Sequence, residues 1–353
     1  MLFEEGHHQH GWHLGREYLI NDAGYITAAH GPAAHGSVKN FATSTPPATL
    51  VTASHSHLAI DLVWDASVGS APSGFEQAVI DAATLYVSEF TGGTIGGGTE
   101  VINIHVGWGE INGQRLSSGA LGESESYGYL TNYAAVASAL GAAGYSFDAS
   151  NEPTKAHFFL TSAQAKDYGL VNGTAGATDG FVGFATLQKG GYSWNLTAST
   201  GTSNTGTGAN QYDLEAVAWH ELSEVMGRIG MEGQHFYGKA TYTPLDLFNF
   251  TSEGVLALSP SGGYFSLDNG KTSLGVFNNA KNGGDIADWA STTSIGQSAT
   301  IGNVVDKQAV QIDYDAYDAF AFYGTNGDVS FSDLAVDSAL GYDSLSAAEK
   351  FVV

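Results

Sequence analysis

The order of apolar and polar residues predicts a mixture of short strands and amphipathic helices. In 99–108, TEVINIHVGW, the side chains of Ile102, Ile104 and Val106 alternate with less apolar residues, which is the two-residue period of a strand. Over 71–90, apolar residues recur every three or four positions, as in a helix that starts near Ser73 and buries one face. The same patterns predict strands at 57–65, 155–161 and 179–187, and helices at 128–144, 210–230 and around 330–343.

These elements favour an α+β fold, because strands and helices are mixed without a regular βαβ alternation. Residues 1–57 carry eight of the twelve histidines and are rich in Gly, Ala, Ser and Pro, with no sustained period. We interpret them as a His-rich N-terminal extension or pro-segment, and 58–353 as a single domain. The length of 353 residues and the hydrophobic content of 43% are sufficient for a substantial core.

Charge and composition exclude several classes of function. The chain has 12 Lys+Arg against 36 Asp+Glu, a net charge of −24, so its surface would repel nucleic acid and anionic membranes. No run of about 18 apolar residues is available for membrane insertion. There are no cysteines, which leaves His, Asp and Glu as metal ligands.

The two ends of the chain bear on localisation. The N-terminus lacks the basic and apolar regions of a cleavable secretory signal. The C-terminal SLSAAEKFVV is similar to the polar-then-hydrophobic tails of proteins exported through Gram-negative type I machines. We therefore expect a secreted, extracellular protein that is exported without a signal peptide.

The stretch WHELSEVMGRIG, 219–230, carries the candidate chemistry. It lies on a predicted helix that begins at Asn210 or Asp213 and stops at Gly227, so His220 and Glu224, four residues apart, project from one face and could bind one metal ion. Glu221 stands beside the pair, where a general base would act on a metal-bound water. The motif is that of HExxH zinc proteases with a glutamate in place of the second histidine.

The motif has a wider resemblance. HELSEVMGR, with VGWGEINGQRLSSGALGES, YTPLDLFNF and GYFSLDNGKTSLGVFN, resembles a group of proteobacterial zinc metalloproteases that are predicted to be secreted and carry HExSEVMGR in place of HExxHxxG. The similarity covers roughly residues 60–345. It implies a zincin fold of metzincin-like type, with a twisted sheet whose edge strand lies over the cleft, an active-site helix below it and an irregular C-terminal subdomain.

The sequence does not decide which residue is the third metal ligand. Metzincins place it three residues after the glycine, where this chain has Gly230, which cannot coordinate. We favour Asp246, because an aspartate between Leu245 and Leu247 is costly to bury unless it is paired or bound to metal. His235 and a carboxylate not identified from the sequence are the alternatives. Tyr242 could hydrogen-bond an oxyanion, or serve only in packing.

These residues predict a metal-dependent endopeptidase that acts on protein or peptide substrates. His220, Glu224 and Asp246 would hold Zn²⁺ or, because two ligands are anionic, Mn²⁺, and a structural Ca²⁺ is left open. An extended substrate would pair with an edge strand, for which 100–106, EVINIHV, is the candidate. The alternative is a catalytically inactive, secreted, metal-stabilised binding or adhesion module.

Overall fold

A computed structural model describes residues 17–21, 26–29, 46–92, 98–187, 191–197, 206–290, 300–302, 309–311 and 315–343. The histidine-rich stretch HHQHGWH and the C-terminal tail lie outside these residues. Residues 198–205, in the loop before the helix that carries the metal motif, also lie outside them.

The described residues form five α-helices and two 3₁₀ turns. The helices are α1 (Phe75–Glu89), α2 (Tyr133–Ala142), α3 (Ser162–Asp167), α4 (Leu214–Met226) and α5 (Phe331–Ala339), and the 3₁₀ turns are Ala66–Ser70 and Leu245–Phe248. The strands of the first half are β1 (Glu17–Asn21), β2 (Ile26–Ala29), β3 (Ala48–Thr52), β4 (Leu58–Trp64), β5 (Glu100–Trp108), β6 (Glu110–Ile111), β7 (Gln114–Arg115), β8 (Gly122–Asn132), β9 (His157–Thr161) and β10 (Gly180–Phe184). Those of the second half are β11 (Ser193–Asn195), β12 (Gln211–Asp213), β13 (Gln234–Phe236), β14 (Lys239–Tyr242), β15 (Asn249–Ser252), β16 (Val255–Leu256), β17 (Tyr264–Phe265), β18 (Gly275–Val276), β19 (Thr300–Gly302) and β20 (Ala309–Gln311).

One ten-stranded mixed sheet dominates the structure. Its main path runs β13-β14-β9-β8-β10-β5-β4-β3, with β1 paired to β8 and β2 paired to β1. The inner strands β4, β5 and β10 are parallel, and β8 is antiparallel to both β10 and β9. A sheet of this kind with few helices is compatible with the expected α+β class.

The N-terminal segment contributes to this sheet. The described parts of 1–57 include β1, which pairs with β8, and β3, which pairs with β4. Ile20 of β1 is fully buried in a small core with Phe159 and Met231. The boundary expected at 57/58 therefore does not separate the strands of the sheet.

The structure corrects two expectations from the sequence, one about the position of a strand in the sheet and one about the start of a helix. Strand β5, which contains the EVINIHV stretch expected at an edge, lies between β4 and β10. The segment expected to be helical from 128 to 144 continues β8 as far as Asn132, and α2 begins only at Tyr133. Residues 128–132 pair with β9, and the side chain of Asn132 caps α2 by accepting a hydrogen bond from the amide of Ala135.

Helices α1 and α4 pack against each other and against the sheet, α1 on β3 and β4, and α4 on β8 and β10. Small residues let α4 approach its strands closely. A Cβ atom at Gly122 would overlap the carboxylate of Glu221, and one at Gly180 would lie 2.7 Å from Cγ1 of Val225. Ser126 of β8 donates a hydrogen bond to the carbonyl of Glu224. Helix α4 thus packs closely on the small residues Gly122 and Ser126 of β8 and Gly180 of β10.

Local sequence sets both ends of α4. Asp213 is the N-cap, and its carboxylate accepts from the amide of Ala216. Gly227 closes the helix with φ of 119°, a left-handed conformation that favours glycine. Of the two expected starts, Asn210 and Asp213, the structure has Asp213, and the expected stop at Gly227 is confirmed. No helix in the described parts of the chain is both long and apolar enough to span a membrane.

The C-terminal region joins the end of α4 through a buried ion pair. Arg228, directly after the cap, donates to Asp333 of α5 at 2.9 Å, and both side chains are buried. The guanidinium lies over the ring of Tyr317 at 4.0 Å and that of Trp289 at 4.9 Å. This contact holds the segments around 289 and 317 next to the metal-motif helix.

Candidate metal centre

His220 and Glu224 of α4 form a cluster with Asp288 of the C-terminal region. One ligand atom from each lies within 4.8 Å of the others. Nε2 of His220 is 3.6 Å from Oε1 of Glu224 and 3.4 Å from Oδ1 of Asp288. Glu224 and Asp288 are buried and His220 is partly exposed. The helical spacing expected to bring His220 and Glu224 together is confirmed.

The imidazole of His220 is oriented by backbone and aromatic contacts. Its Nδ1 is 3.0 Å from the carbonyl oxygen of Ala316, which can only accept, so Nδ1 carries a proton and donates. Tyr317 stacks on the ring, with centroids 6.0 Å apart and planes at 21°. Fixing Nδ1 as the donor leaves Nε2 to face the two carboxylates, which is the arrangement of a histidine that ligates a metal through Nε2.

The charges of the cluster interact strongly. Burial lowers the pKa of His220, but the charges of Asp288 and Glu224 outweigh it and raise that pKa well above its usual value. Burial raises the pKa of Asp288 to about 6, although His220 opposes the shift. A cation that replaced the proton on Nε2 would neutralise the same two carboxylates.

The donor set fits a divalent cation. One imidazole nitrogen and two carboxylates are ligands that Zn²⁺ and Mn²⁺ both accept. Oε2 of Glu224 is buried with no hydrogen-bond partner among the described residues, an arrangement that is costly unless something else binds it. His220, Glu224 and Asp288 would hold the ion.

Glu221 lies next to this cluster, on the side of the sheet. Its carboxylate occupies the space left by the missing side chain of Gly122, the first residue of β8. Its negative charge contributes to the raised pKa of His220. The side chain is mostly buried, at 6% exposed. The expected placement of Glu221 beside the His220–Glu224 pair therefore agrees with the structure.

The third member of the cluster is Asp288, and the structure places Asp246 elsewhere. Oδ2 of Asp246 accepts from the amides of Thr243 and Met231. Burial and the charge of Glu232 raise the pKa of Asp246 well above its usual value, and a contact between the two carboxyl groups adds to the shift. Of the two explanations for a buried Asp246, pairing with another group and binding to metal, the structure therefore supports pairing with Glu232.

The other two candidates also have different surroundings. His235 is exposed on β13, and its Nδ1 lies 3.2 Å from the carbonyl of Gly233. The hydroxyl of Tyr242 donates to the carbonyl of Leu258 at 3.3 Å, and its ring packs against Phe158. These are the contacts of an exposed hairpin residue and of a packing residue.

Sequence reasoning missed Asp288, although a usable signal was present. Asp288 stands between Ala287 and Trp289, both buried, just as Asp246 stands between two leucines. The two aspartates have the same local pattern, and only the backbone path brings one of them to His220.

Comparisons with protein-family models, with curated proteins and with solved structures found no match to this chain.

Proposed function

We propose that this protein is a metal-dependent endopeptidase of zincin-like type. The observation that carries the proposal is the cluster of His220, Glu224 and Asp288, with Glu221 next to His220 on the same helix. Zn²⁺ is the favoured ion and Mn²⁺ the alternative, because two of the three ligands are anionic. The resemblance of HELSEVMGR to secreted bacterial metalloproteases supports the same reading.

In this proposal the residues around the metal cluster have separate roles. A bound divalent cation would polarise the scissile carbonyl and acidify water. Glu221 takes the proton of the attacking water as general base and returns it to the leaving amine. Ala316 and Tyr317 keep the imidazole of His220 in one orientation. We assign no step to Tyr242, because its hydroxyl is bonded to a backbone carbonyl.

The substrate strand is proposed at β8 in place of β5. The backbone of Gly122, Glu123 and Ser124 pairs with β10, and the described part of β1 pairs with β8 only from Glu125 onward. Gly122 is also the residue against which Glu221 packs. A peptide that added to β8 by β-augmentation would lie next to the general base.

A structural metal site is the second candidate. Glu224 and Asp288 have side chains only 2% and 4% exposed, and His220 only 15%. Structural metal sites are closed, whereas catalytic sites keep a position open for water and substrate. The observed burial therefore favours, as an alternative, a secreted binding or adhesion module whose metal only stabilises the fold.

Glu221→Gln separates the two candidates. Both candidates predict about one zinc or manganese per chain in the wild type and in this variant, because Glu221 is not a ligand. The endopeptidase predicts that cleavage of an unfolded protein such as casein falls by roughly 100-fold or more, the usual effect of removing a general base. Cleavage equal in both proteins would refute Glu221 as the base, and a wild type that binds metal but cleaves nothing would favour the structural site.

A further inference from the structure

Three tyrosines lie together near the N-terminus of α4, and we call them the tyrosine patch. The ring centroids of Tyr192 and Tyr323 are 5.0 Å apart, and the ring of Tyr212 lies 5.5 Å from the first and 6.1 Å from the second. Tyr323 is 49% exposed, and the other two are half-buried. None of the three belongs to the metal cluster.

Backbone and side-chain hydrogen bonds hold the segments of the patch together. Strands β11 and β12, which follow Tyr192 and contain Tyr212, pair in parallel. The amide of Gly324 donates to the carbonyl of Gln211, and the hydroxyl of Thr207 donates to Oδ1 of Asn326. These bonds tie the segment that carries Tyr323 to the segment 206–212, so the three rings are positioned without help from a ligand.

The patch is uncharged, unlike the protein as a whole. The segments that form it, 191–197, 206–212 and 319–327, contain no Asp, Glu, Lys or Arg, in a chain that is 14% charged and has a net charge of −24. They offer no ammonium group to neutralise an anion and no carboxylate to bind a cation. A ligand that is recognised through these segments is therefore neutral.

The phenol hydroxyls of the patch are available to a ligand. None of the three makes a hydrogen bond to a described residue, and those of Tyr192 and Tyr212 are not buried. Burial raises the pKa of Tyr212, and the neighbouring Tyr192 and Tyr323 raise it further, so this hydroxyl keeps its proton at pH 7. Each phenol can donate one hydrogen bond and accept another.

The three rings are inclined to one another. The plane of Tyr192 makes angles of 42° with that of Tyr323 and 55° with that of Tyr212, and the last two planes are at 83°. A flat ligand can stack on only one of them. A sugar ring has C–H groups on both faces and hydroxyls around its edge, so consecutive sugars of a chain can pack on differently inclined rings and bond to their phenols.

We propose that the tyrosine patch binds a neutral polysaccharide, with one sugar stacked on the exposed ring of Tyr323 and neighbouring sugar hydroxyls bonded to the phenols of Tyr192 and Tyr212. A proline-rich peptide also packs on aromatic rings, but its proline nitrogens carry no hydrogen and leave the phenol acceptors unused. A sugar hydroxyl both donates and accepts, as a phenol does. The site is separate from the metal cluster, and its test does not depend on peptidase activity.

Calorimetric titration of the full chain with maltohexaose, cellohexaose, xylohexaose and mannohexaose tests the proposal. We expect saturable binding of at least one of these neutral saccharides. Hexagalacturonate, an anionic saccharide of the same length, should bind about tenfold more weakly or less, because the patch has no cation and the net charge of the protein repels it.

Variants separate the ring from the hydroxyls. Tyr323→Ala should weaken saccharide binding by about tenfold or more because the stacked ring is lost, whereas Tyr323→Phe keeps the ring and should stay within about threefold of the wild type. The double variant Tyr192→Phe/Tyr212→Phe should weaken binding by about tenfold, since two hydrogen bonds are lost. The matched control Tyr237→Ala removes a tyrosine that is 73% exposed on another surface and should leave binding unchanged.

Three outcomes would overturn the proposal. The first is that none of the four neutral saccharides binds, and the second is that Tyr323→Ala, shown by thermal unfolding to be folded, binds them as tightly as the wild type. The third is that hexagalacturonate binds as tightly as the neutral saccharides. Saturable binding of decaproline that Tyr323→Ala abolishes, with no saccharide bound, would assign the patch to proline-rich peptides instead.

Discussion

Two aspartates with the same local pattern have different roles in this protein. Asp246 and Asp288 both stand between buried apolar residues, and both have raised pKa values because of burial. Asp246 lies beside Glu232, whose charge adds to its raised pKa, whereas Oδ1 of Asp288 lies 3.4 Å from Nε2 of His220. The difference is in the neighbour that each carboxylate meets, which no local pattern encodes.

Metal binding by two asparagine variants tests this assignment. Asp288→Asn should lower zinc affinity by more than the roughly 10- to 100-fold that loss of an outer partner typically gives, because a neutral amide replaces an anionic ligand. Asp246→Asn should keep full zinc content. Its amide oxygen can still accept from the amides of Thr243 and Met231, and its NH₂ group can donate to the neighbouring Glu232. Metal analysis of both folded variants would reject the assignment if Asp246→Asn lost its zinc and Asp288→Asn did not.

At the scale of elements, the site depends on how closely α4 approaches the sheet and where it ends. Gly122 and Gly180 provide the space on the strands, and Gly227 reverses the chain so that Arg228 turns inward to Asp333. The pattern of 210–230 was enough to predict the end of α4 at Gly227 and to narrow its start to Asn210 or Asp213, because capping is local. The same local reasoning extended α2 into β8, because the alternation in GYLTN covers too few residues to outweigh the helical pattern that follows.

The glycine that ends α4, Gly227, predicts a change in stability. Gly227→Ala should lower the free energy of unfolding by about 1 to 3 kcal/mol, since a Cβ at this φ is strained and would also overlap the side chain of Gln164. Gly141→Ala is the matched control, because that exposed glycine lies within α2 with open space around it. It should raise stability by up to about 1 kcal/mol. Urea denaturation of both variants measures the contrast, and equal effects would contradict it.

At the scale of the whole molecule, the C-terminal region is joined to the sheet domain through buried charge. Arg228 is surrounded by Asp315, Asp333 and Asp337, of which only Asp333 has a hydrogen bond to the guanidinium at 2.9 Å. Burial raises the pKa of Asp337 to about 7, although the charge of Arg228 opposes the shift. The contact between α5 and Arg228 therefore lies beside a buried carboxyl whose protonation changes with pH.

This raised pKa predicts a pH dependence of stability. Between about pH 4 and pH 7 the folded protein holds a proton on Asp337 that the unfolded chain releases, so this group contributes stability that falls as pH rises. Asp337→Asn should remove that dependence and raise the free energy of unfolding at pH 8 by up to roughly 4 kcal/mol, with much less gain at pH 4. Asp333→Asn is the control of opposite sign, because it breaks a buried ion pair and should destabilise by about 3 kcal/mol or more.

Urea denaturation at pH 4 and pH 8 distinguishes these outcomes. A larger gain for Asp337→Asn at the lower pH, or a gain for Asp333→Asn at both, would show that the buried charges are arranged differently.

The sequence by itself determined the local features of this protein. It predicted the strands around 60, 104, 158 and 182, the end of α4 at Gly227, and the placement of His220, Glu224 and Glu221 on one helix, because helical and strand periods and capping act over only a few residues. Tertiary structure decided the rest. The interior position of β5, the pairing of β1 and β3 with the sheet, and the choice of Asp288 over Asp246 all depend on contacts between distant segments. A carboxylate becomes a candidate ligand through its neighbours in space, and those neighbours are fixed only when the chain has folded.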